Sequence, residues 1–554
     1  MNLTSKSLVR LALVFCITTL FIGCNKSVDY TKTSRGTGWD LNSKEGGFRF
    51  DPKFKEQPTG PGLVFIEGGT FTMGKVQDDP LGDWNNTPTQ QHVQSFYMDE
   101  TEVTNLMYLE YLDWLKHTFS PEEPGYEYIY AGALPDTLVW RNRLGNNEVM
   151  TENYLRHPAY AEYPVVGVSW IQAMEYSKWR TDRVNELMLE KEGYIAKGAQ
   201  YKVVGGQTFS TSTYLNAPTL TYGGNDSITR GGKESERIAR RSPDSTNLYA
   251  QLKDGVILPA YRLPTEVEWE FAALGMSELR DYNTYRGRKK YPWSGSYTRS
   301  DNRRMVGQQL ANFKQGKGDY GGIAGWSDTG ADITAKVGSY PPNDYGLYDM
   351  AGNVAEWVAD VYRPMIDDEY NDFNYYRGNI YTKNKIGKDG KVQLVTAEEI
   401  VYDTLSNGKI IARNLPGEIQ QVALEGKDLY LRTNFSESDQ RDFRDGDKMS
   451  TRNYQSFGYQ IEDDPVRMYN SPQHGVYTDS SGVALEYDKS SNRTTLINNE
   501  VRVYKGGSWR DRNYWLDPAQ RRFYPQDMAT DFIGFRCAMS RVGPKAQDRS
   551  RRRR

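Results

Sequence analysis

Cysteine is nearly absent from this sequence: Cys16, Cys24 and Cys537 are the only thiols in 554 residues. Cys16 falls inside an N-terminal stretch that reads as removable, and Cys24 closes that stretch. The body therefore keeps one free thiol, and no internal disulfide can form. A large exported domain of this kind relies on the core that several hundred residues can bury. Histidine is as scarce. His92, His117, His157 and His474 show no metal-ligand spacing, and none stands beside a Gly-x-Ser-x-Gly turn, so each is expected at the surface or in packing. Beyond residue 24 no apolar run approaches the ~20 residues of a spanning helix, and the mean hydropathy of -0.74 marks a polar body. Charge of one sign is lacking too. With 69 Lys and Arg against 72 Asp and Glu, the net charge of -3 argues against a nucleic-acid partner. Only residues 543–554 depart from this balance: Lys545, Arg549 and Arg551 to Arg554 form a basic tail, read as a solvated end rather than a docking element.

What is present begins with an export signal at 1–23. Lys6 and Arg10 supply the positive start, Leu11 to Ile22 is uncharged and mostly apolar, and Lys26 follows too soon for a spanning helix. Leu20-Phe21-Ile22-Gly23-Cys24 resembles a lipobox, with Phe21 departing from the usual leucine. Cleavage after Gly23 and acylation of Cys24 (palmitate or a related chain) are expected, and two or three acyl chains hold a protein to a bilayer far better than one. The next residue is Asn25 rather than an inner-membrane retention aspartate. The expected location is the outer membrane, facing the periplasm. Residues 24–60 are rich in Gly, Ser, Thr, Lys and Asp and read as a flexible tether.

The body is expected at 61–542. Leu63 to Ile66 and Thr70 to Met73 flank Gly68-Gly69, a hairpin signal, and His92 to Met98 is a second strand signal. Leu106, Leu109, Leu112 and Leu115 predict a helix starting near Thr104. Ser169 with Gln172, and Thr265 with Glu268, are capping boxes that predict helices from 170 to about 189 and from 266 to Gly275. Glu266, Glu268 and Glu270 then sit in first turns, where the helix dipole favours negative charge. Two insertions are expected, at about 190–260, with a Gly/Ser/Thr-rich surface stretch from Gly205 to Asp254, and at about 370–500. The second carries strand-like runs such as Lys391 to Val395 and a charged turn region from Glu437 to Asp447.

Several ordered blocks punctuate this body. They are Gly68 to Gly74, Glu102-Val103-Thr104-Asn105, Pro164 to Trp170, Arg262 to Glu270, Tyr345 to Trp357, Lys505-Gly506-Gly507-Ser508-Trp509 and Gly534-Phe535-Arg536-Cys537-Ala538. The series resembles the formylglycine-generating enzyme (sulfatase-modifying factor) family. That resemblance implies an α+β fold related to C-type lectins, with little regular secondary structure and large loop insertions. Forty tyrosines and twelve tryptophans suit a loop-rich body knit by aromatic packing.

The resembled enzymes oxidise a substrate cysteine with copper held by two thiolates just after the Gly-Gly-Ser block. Here those positions are Asp511 and Leu516. A carboxylate and an alkyl group cannot make a dithiolate site, flanking Arg510 and Arg512 would repel a cation, and Cys537 is a single thiol in a core strand. No copper and no catalysis are expected. The family's calcium loop resembles Asp349 to Glu356, which implies side-chain oxygens from Asp349 and Glu356 and carbonyls from Gly352 and Val354, a hard-oxygen set suited to Ca²⁺. Asn312 and Phe313 match half of a second site, with Asp328 or Asp332 for its carboxylate. Both sites would be structural.

Lipid anchor, insertions and arginine-rich end together resemble an envelope-lipoprotein branch of the family associated with gliding motility and type IX secretion. The implied role is a non-catalytic interaction component among other motility and secretion envelope proteins. An oxidase with a different cofactor and a glycan-binding envelope module, with Trp509, Tyr514 and Trp515 as a platform, are the alternatives. Replacement of Cys24 by alanine is expected to release the body from the membrane fraction. An unlipidated C24A protein that still fractionates with outer membrane refutes the anchor.

Overall fold

The computed structural model describes residues 33–34, 36–40, 56–74, 86–141, 147–203, 205–241, 248–275, 289–315, 322–323, 326–327, 331, 333–363, 381–405, 408–424, 474–478, 484–488 and 500–543. The signal segment with Cys16 and Cys24, Asp328, Asp332, the 437–447 region and the basic tail lie outside the described residues. The chain divides into a unit of Pro58–Val542 and a unit made of the two ends. Within the latter, Thr33 and Asp40 form an isolated bridge. Among the described residues no helix is long and apolar enough to cross a membrane.

In the large unit, β1 (Leu63–Ile66) and β2 (Gly69–Met73) do not pair with each other. β2 pairs antiparallel with β3 (Thr89–Val93) and β1 with β4 (Phe96–Asp99). The expected hairpin at Gly68-Gly69 is thus replaced by two interlocked pairs, and the single strand signal of 92–98 is split at Gln94-Ser95. Gly68 is needed for proximity rather than for a turn. A Cβ there would lie 2.3 Å from the Val93 carbonyl oxygen, and its N–H donates to Ser95 Oγ at 3.0 Å.

Helix α1 (Asn105–Thr118) starts where expected, with Thr104 Oγ1 accepting from the Met107 N–H. Its core face is Tyr108, Tyr111, Leu112 and Leu115, while Leu106 is 57% exposed. Aromatic residues between the leucines set the buried stripe, so the leucine spacing alone places it one position off. A short α2 (Glu127–Ala133) follows. Both sides of the capping box at Ser169 and Gln172 form at the start of α3 (Trp170–Lys191), which runs two residues past the expected end. The stretch after α3 is not a surface loop. It contains α4 (Thr211–Asn216), and Phe209, Tyr214, Tyr222, Ile228 and Ile257 form a core of their own with Leu189. Gly, Ser and Thr dominated the composition there, and a few large aromatics outweigh them in buried area.

Strand β5 (Tyr261–Arg262) leads into α5 (Glu266–Leu274), capped by Thr265 and Glu268 and ended by Gly275 in the left-handed region at φ +52°. The central strand β6 (Ala355–Val361) is buried at every position. In the second insertion, β7 (Tyr402–Thr404) pairs with β8 (Ile410–Ala412), and Thr382–Asn384 pairs with Gln421–Ala423. Lys391 to Val395 makes only isolated bridges, Val392 to Ile386 and Leu394 to Ile419. The remaining strands are β9 (Val501–Lys505), β10 (Arg522–Pro525), β11 (Ile533–Gly534) and β12 (Ala538–Ser540). Two four-stranded sheets result, ordered β1-β4-β12-β5 and β10-β9-β6-β11. The first joins strands from residues 63–99 to one at 538–540, and the second joins 355–361 to 501–534, which gives a mixed helix and strand fold stitched by contacts far apart in sequence.

The glutamates of α5 are held by more than the helix dipole. Lys505 Nζ donates to Glu270 at 2.7 Å and to Glu266 at 3.3 Å, and Arg521 grips Glu266 at 2.6 and 3.0 Å. Glu268 pairs with Arg262 at 2.6 and 2.7 Å. Lys505, Glu266, Glu270 and Arg521 are all under 3% exposed. Removing one partner of a buried pair strands the other charge, at a cost of about 3–5 kcal/mol. Lys505→Ala is therefore expected to lose that much stability in urea unfolding, and a loss under about 1 kcal/mol contradicts the network's role.

Candidate functional site

The 349–356 segment is a tight cradle. Asp349, Gly352 and Asn353 all have positive φ, at +56°, +79° and +55°. At Gly352 only glycine fits, because a Cβ would lie 2.4 Å from the Asn312 carbonyl oxygen. The two expected cation half-sites thus touch: the Asn353 N–H donates to Asn312 O at 2.8 Å, and Asn312 Nδ2 donates to the Ile333 carbonyl at 2.7 Å. Phe313 is buried in a cluster with Tyr291, Ala311, Ala351 and Leu516.

The carboxylates of this cradle face N–H donors. Arg536 donates to both oxygens of Glu356, at 2.7 Å from Nε and 2.6 Å from a terminal nitrogen, and Trp269 Nε1 adds a bond of 2.7 Å. Three of the four lone-pair positions of Glu356 are thereby occupied. Asp349 accepts from the Gly338 N–H at 2.7 Å. A third carboxylate, Glu102, is fully buried and accepts from Asn353 Nδ2 at 2.8 Å and from the Val354 N–H at 3.2 Å. Sequence reasoning missed it, although it sits in the Glu-Val-Thr-Asn block; nothing in that block indicated that it would meet the 349–356 loop.

Glu102, Asp349 and Glu356 stand against one guanidinium, that of Arg536. Burial, then repulsion from Asp349 and Glu356, drives the Glu102 carboxyl well above its ordinary range. Burial likewise pushes Asp349 up to about 6. An excess of hard oxygen charge is what a cation such as Ca²⁺ complements. The orientation of Glu356 instead suits Arg536, and no group of three or more metal-ligating side chains converges among the described residues. The excess of carboxylate charge favours a cation, whereas the side chains as placed are committed to Arg536, Trp269 and backbone donors, with one lone pair of Glu356 left over.

Asp511 and Leu516, the positions that the resemblance matches to the copper pair, are engaged in pairing and packing. Arg522 forks onto Asp511 at 2.7 and 2.6 Å, and Ser508 Oγ donates to the same carboxylate at 2.6 Å. The guanidinium of Arg522 lies 4.7 Å over Tyr504 and 4.5 Å over Trp515. Leu516 has no exposed surface. Contrary to expectation, Arg510 and Arg512 do not surround Asp511. Arg510 pairs with Asp531 at 2.7 Å, and Arg512 donates to the Gln315 carbonyl at 3.0 Å. Cys537 packs in a different cluster from Leu516, beside Ser177 Oγ at 3.4 Å, where burial pushes its thiol up to about 12. Trp509 is 6% exposed and stacks on Trp140 at 6.1 Å, whereas Tyr514 and Trp515 contact each other. The three rings do not form one platform. His117 pairs with Asp113, His157 accepts from the Ala159 N–H, and His92 lies 3.3 Å from Thr70 Oγ1; none of these three joins a metal-ligating group among the described residues.

The sequence model for the "Sulfatase-modifying factor enzyme 1-like domain" matches residues 50–397 and 413–541. The formylglycine-generating enzyme of Mus musculus is 25% identical over 301 residues, which are 54% of this chain and 58% of that protein. The match thus spans less than two thirds of that relative's length. The "Inactive C-alpha-formylglycine-generating enzyme 2" of Mus musculus is 40% identical over 322 residues, 56% of this chain and 71% of that protein. Among solved structures, PvdO from Pseudomonas aeruginosa is 15% identical and covers 86% of this chain and 94% of its own, at a TM-score of 0.34.

Asp511→Ala would leave Arg522 without its carboxylate in a site under one fifth exposed. The expected loss is about 1–3 kcal/mol in denaturant midpoint, and Asp511→Ala together with Arg522→Met should recover part of it. A double variant no more stable than the single one contradicts the pairing.

Proposed function

Because the chain belongs to the sulfatase-modifying factor enzyme 1-like domain family, we propose that it is a non-catalytic member acting as a lipid-anchored interaction scaffold of the cell envelope. The observation that carries this reading is the Asp511–Arg522 fork beside a fully buried Leu516, at the positions where the catalytic relatives hold copper. An ion pair and a packed alkyl group leave no thiolate for a soft cation. The likeness to an inactive C-alpha-formylglycine-generating enzyme 2 supports the existence of such members.

In finer detail, the chain is a gliding-motility lipoprotein of the GldJ type, tied to the periplasmic face of the outer membrane through Cys24. It binds other envelope proteins of the motility and type IX secretion machinery and no nucleic acid. Calcium is its structural cofactor: Asp349 and Glu356 with the Gly352 and Val354 carbonyls would hold one ion, joined by the Glu102 charge, and Asn312 with Phe313 would contribute to a second. The C-type-lectin relation of the fold suits a role in display of loops rather than in chemistry.

Two measurements test this. Metal analysis of the purified protein should find calcium and no copper, and chelation should lower the melting temperature. In cells, Asp511→Asn, which keeps the shape of the side chain, should leave gliding intact at normal protein levels. Stoichiometric copper, or lost motility with normal protein levels and anchoring, overturns the scaffold reading.

A further inference from the structure

Residues 297–310 form a narrow hairpin outside the blocks discussed above. Arg299 and Gln309 make a bridge, the Leu310 N–H donates to the Thr298 carbonyl at 2.9 Å, and Ser300 bonds Gln308 and Gly307 across the arms at 2.8 and 2.9 Å. The tip turns at Asn302, whose carbonyl accepts from the Met305 N–H at 2.8 Å and whose Oδ1 accepts from the Arg304 N–H at 3.1 Å. Gly307 closes the turn in the left-handed region at φ +83°. Arg299 crosses to the Gly307 carbonyl at 2.6 Å. At the base, the Trp293 indole N–H donates to the Tyr297 carbonyl at 2.8 Å, and its ring stacks on Tyr291 at 5.0 Å. Backbone bonds and this stack fix the shape, which leaves most of the side chains of the tip turned to solvent.

Those side chains are of two kinds. Tyr297 is 80% exposed and Val306 67%. Beside them, at the base, Trp293, Leu310, Pro341 and Pro342 line one hollow. The others are cationic. Arg303 and Arg304 are exposed at the tip, and neither meets a carboxylate among the described residues; Asp301, the one acidic residue of the hairpin, pairs with neither. Lys290 stands exposed at the base, 5.5 Å over the Tyr291 ring. In a chain of net charge -3, two adjacent arginines without a counter-charge, set among exposed apolar side chains, are a local reversal of the surface.

We propose that this hairpin docks on an anionic phospholipid surface, with Arg303 and Arg304 on lipid phosphates and Tyr297 and Val306 in the headgroup layer. Guanidinium forks match phosphate oxygens, and amphipathic tyrosine with short apolar side chains suits the boundary between headgroups and acyl chains. An acidic protein surface would answer the arginines alone. The apolar residues beside them call for a partner that is anionic at its surface and apolar beneath, which a bilayer is. The inference rests on the lipid-anchored reading and extends it. For a body already tied to a bilayer, a second contact is intramolecular, so a weak electrostatic patch suffices to orient it.

The test uses the full mature chain with Cys24→Ala, so that no acyl chain contributes, and an environment-sensitive fluorophore on Ser296→Cys; Cys537, with no exposed surface, stays unlabelled. Vesicles of equal parts phosphatidylcholine and phosphatidylglycerol are titrated in at low salt. Expected are a saturable rise in emission, none with phosphatidylcholine alone, and none with the label on Lys253→Cys, which separates hairpin contact from contact by the basic tail. Arg303→Gln with Arg304→Gln should raise the half-saturating lipid concentration about tenfold or more. Lys197→Gln with Lys202→Gln removes the same charge at exposed sites and should change little. Unchanged melting temperatures will show that both variants fold. No rise, an equal rise with phosphatidylcholine alone or from the Lys253 position, or an equal shift in the lysine variant overturns the proposal. Acylation of Cys24 is read separately, from the mass of the wild-type N-terminal peptide, so the anchor reading fails or stands on its own.

Discussion

Arg536 is the contact on which the rest of the structure depends. Its guanidinium has no exposed surface and holds Glu356 of β6, the Asp99 carbonyl after β4 and the Tyr348 carbonyl before the cradle, at 2.6 to 3.1 Å. Trp269 of α5 completes the coordination of Glu356. One side chain near the end of the chain therefore fixes both sheets, the cradle and α5. Arginine serves here because its planar fork offers five donors and stays charged when buried. Glu102 and Asp349 are buried close by, and burial together with the neighbouring carboxylates raises both above their ordinary range.

The same logic of paired charge governs the loop after the Gly-Gly-Ser block. Here Asp511 is fully engaged by Arg522 and Ser508, and Leu516 fills its space with packed carbon. The loop is held to its edge strand by an ion pair.

Local signals were read well. The caps at Thr104, Ser169 and Thr265 and the stop at Gly275 all formed where the sequence placed them, because each depends on hydrogen bonds within four residues. Pairing was not legible in the same way. The Gly68-Gly69 signal looks the same whether a glycine turns the chain or lets another strand approach, and only the position of Val93 decides between them. The Gly, Ser and Thr of 205–254 hid a small core, since a few rings bury more surface than many small residues expose.

The sequence by itself determined the helix caps and the family, because these follow from residue identity and short spacing. Only the tertiary structure decided which charges neutralise one another. Glu102 reaches Val354 across 252 residues, Arg536 reaches Glu356 across 180, and Arg522 rather than Arg510 meets Asp511. Electrostatic partners are chosen by distance in space and by exclusion of water, and neither quantity is written in the order of the residues.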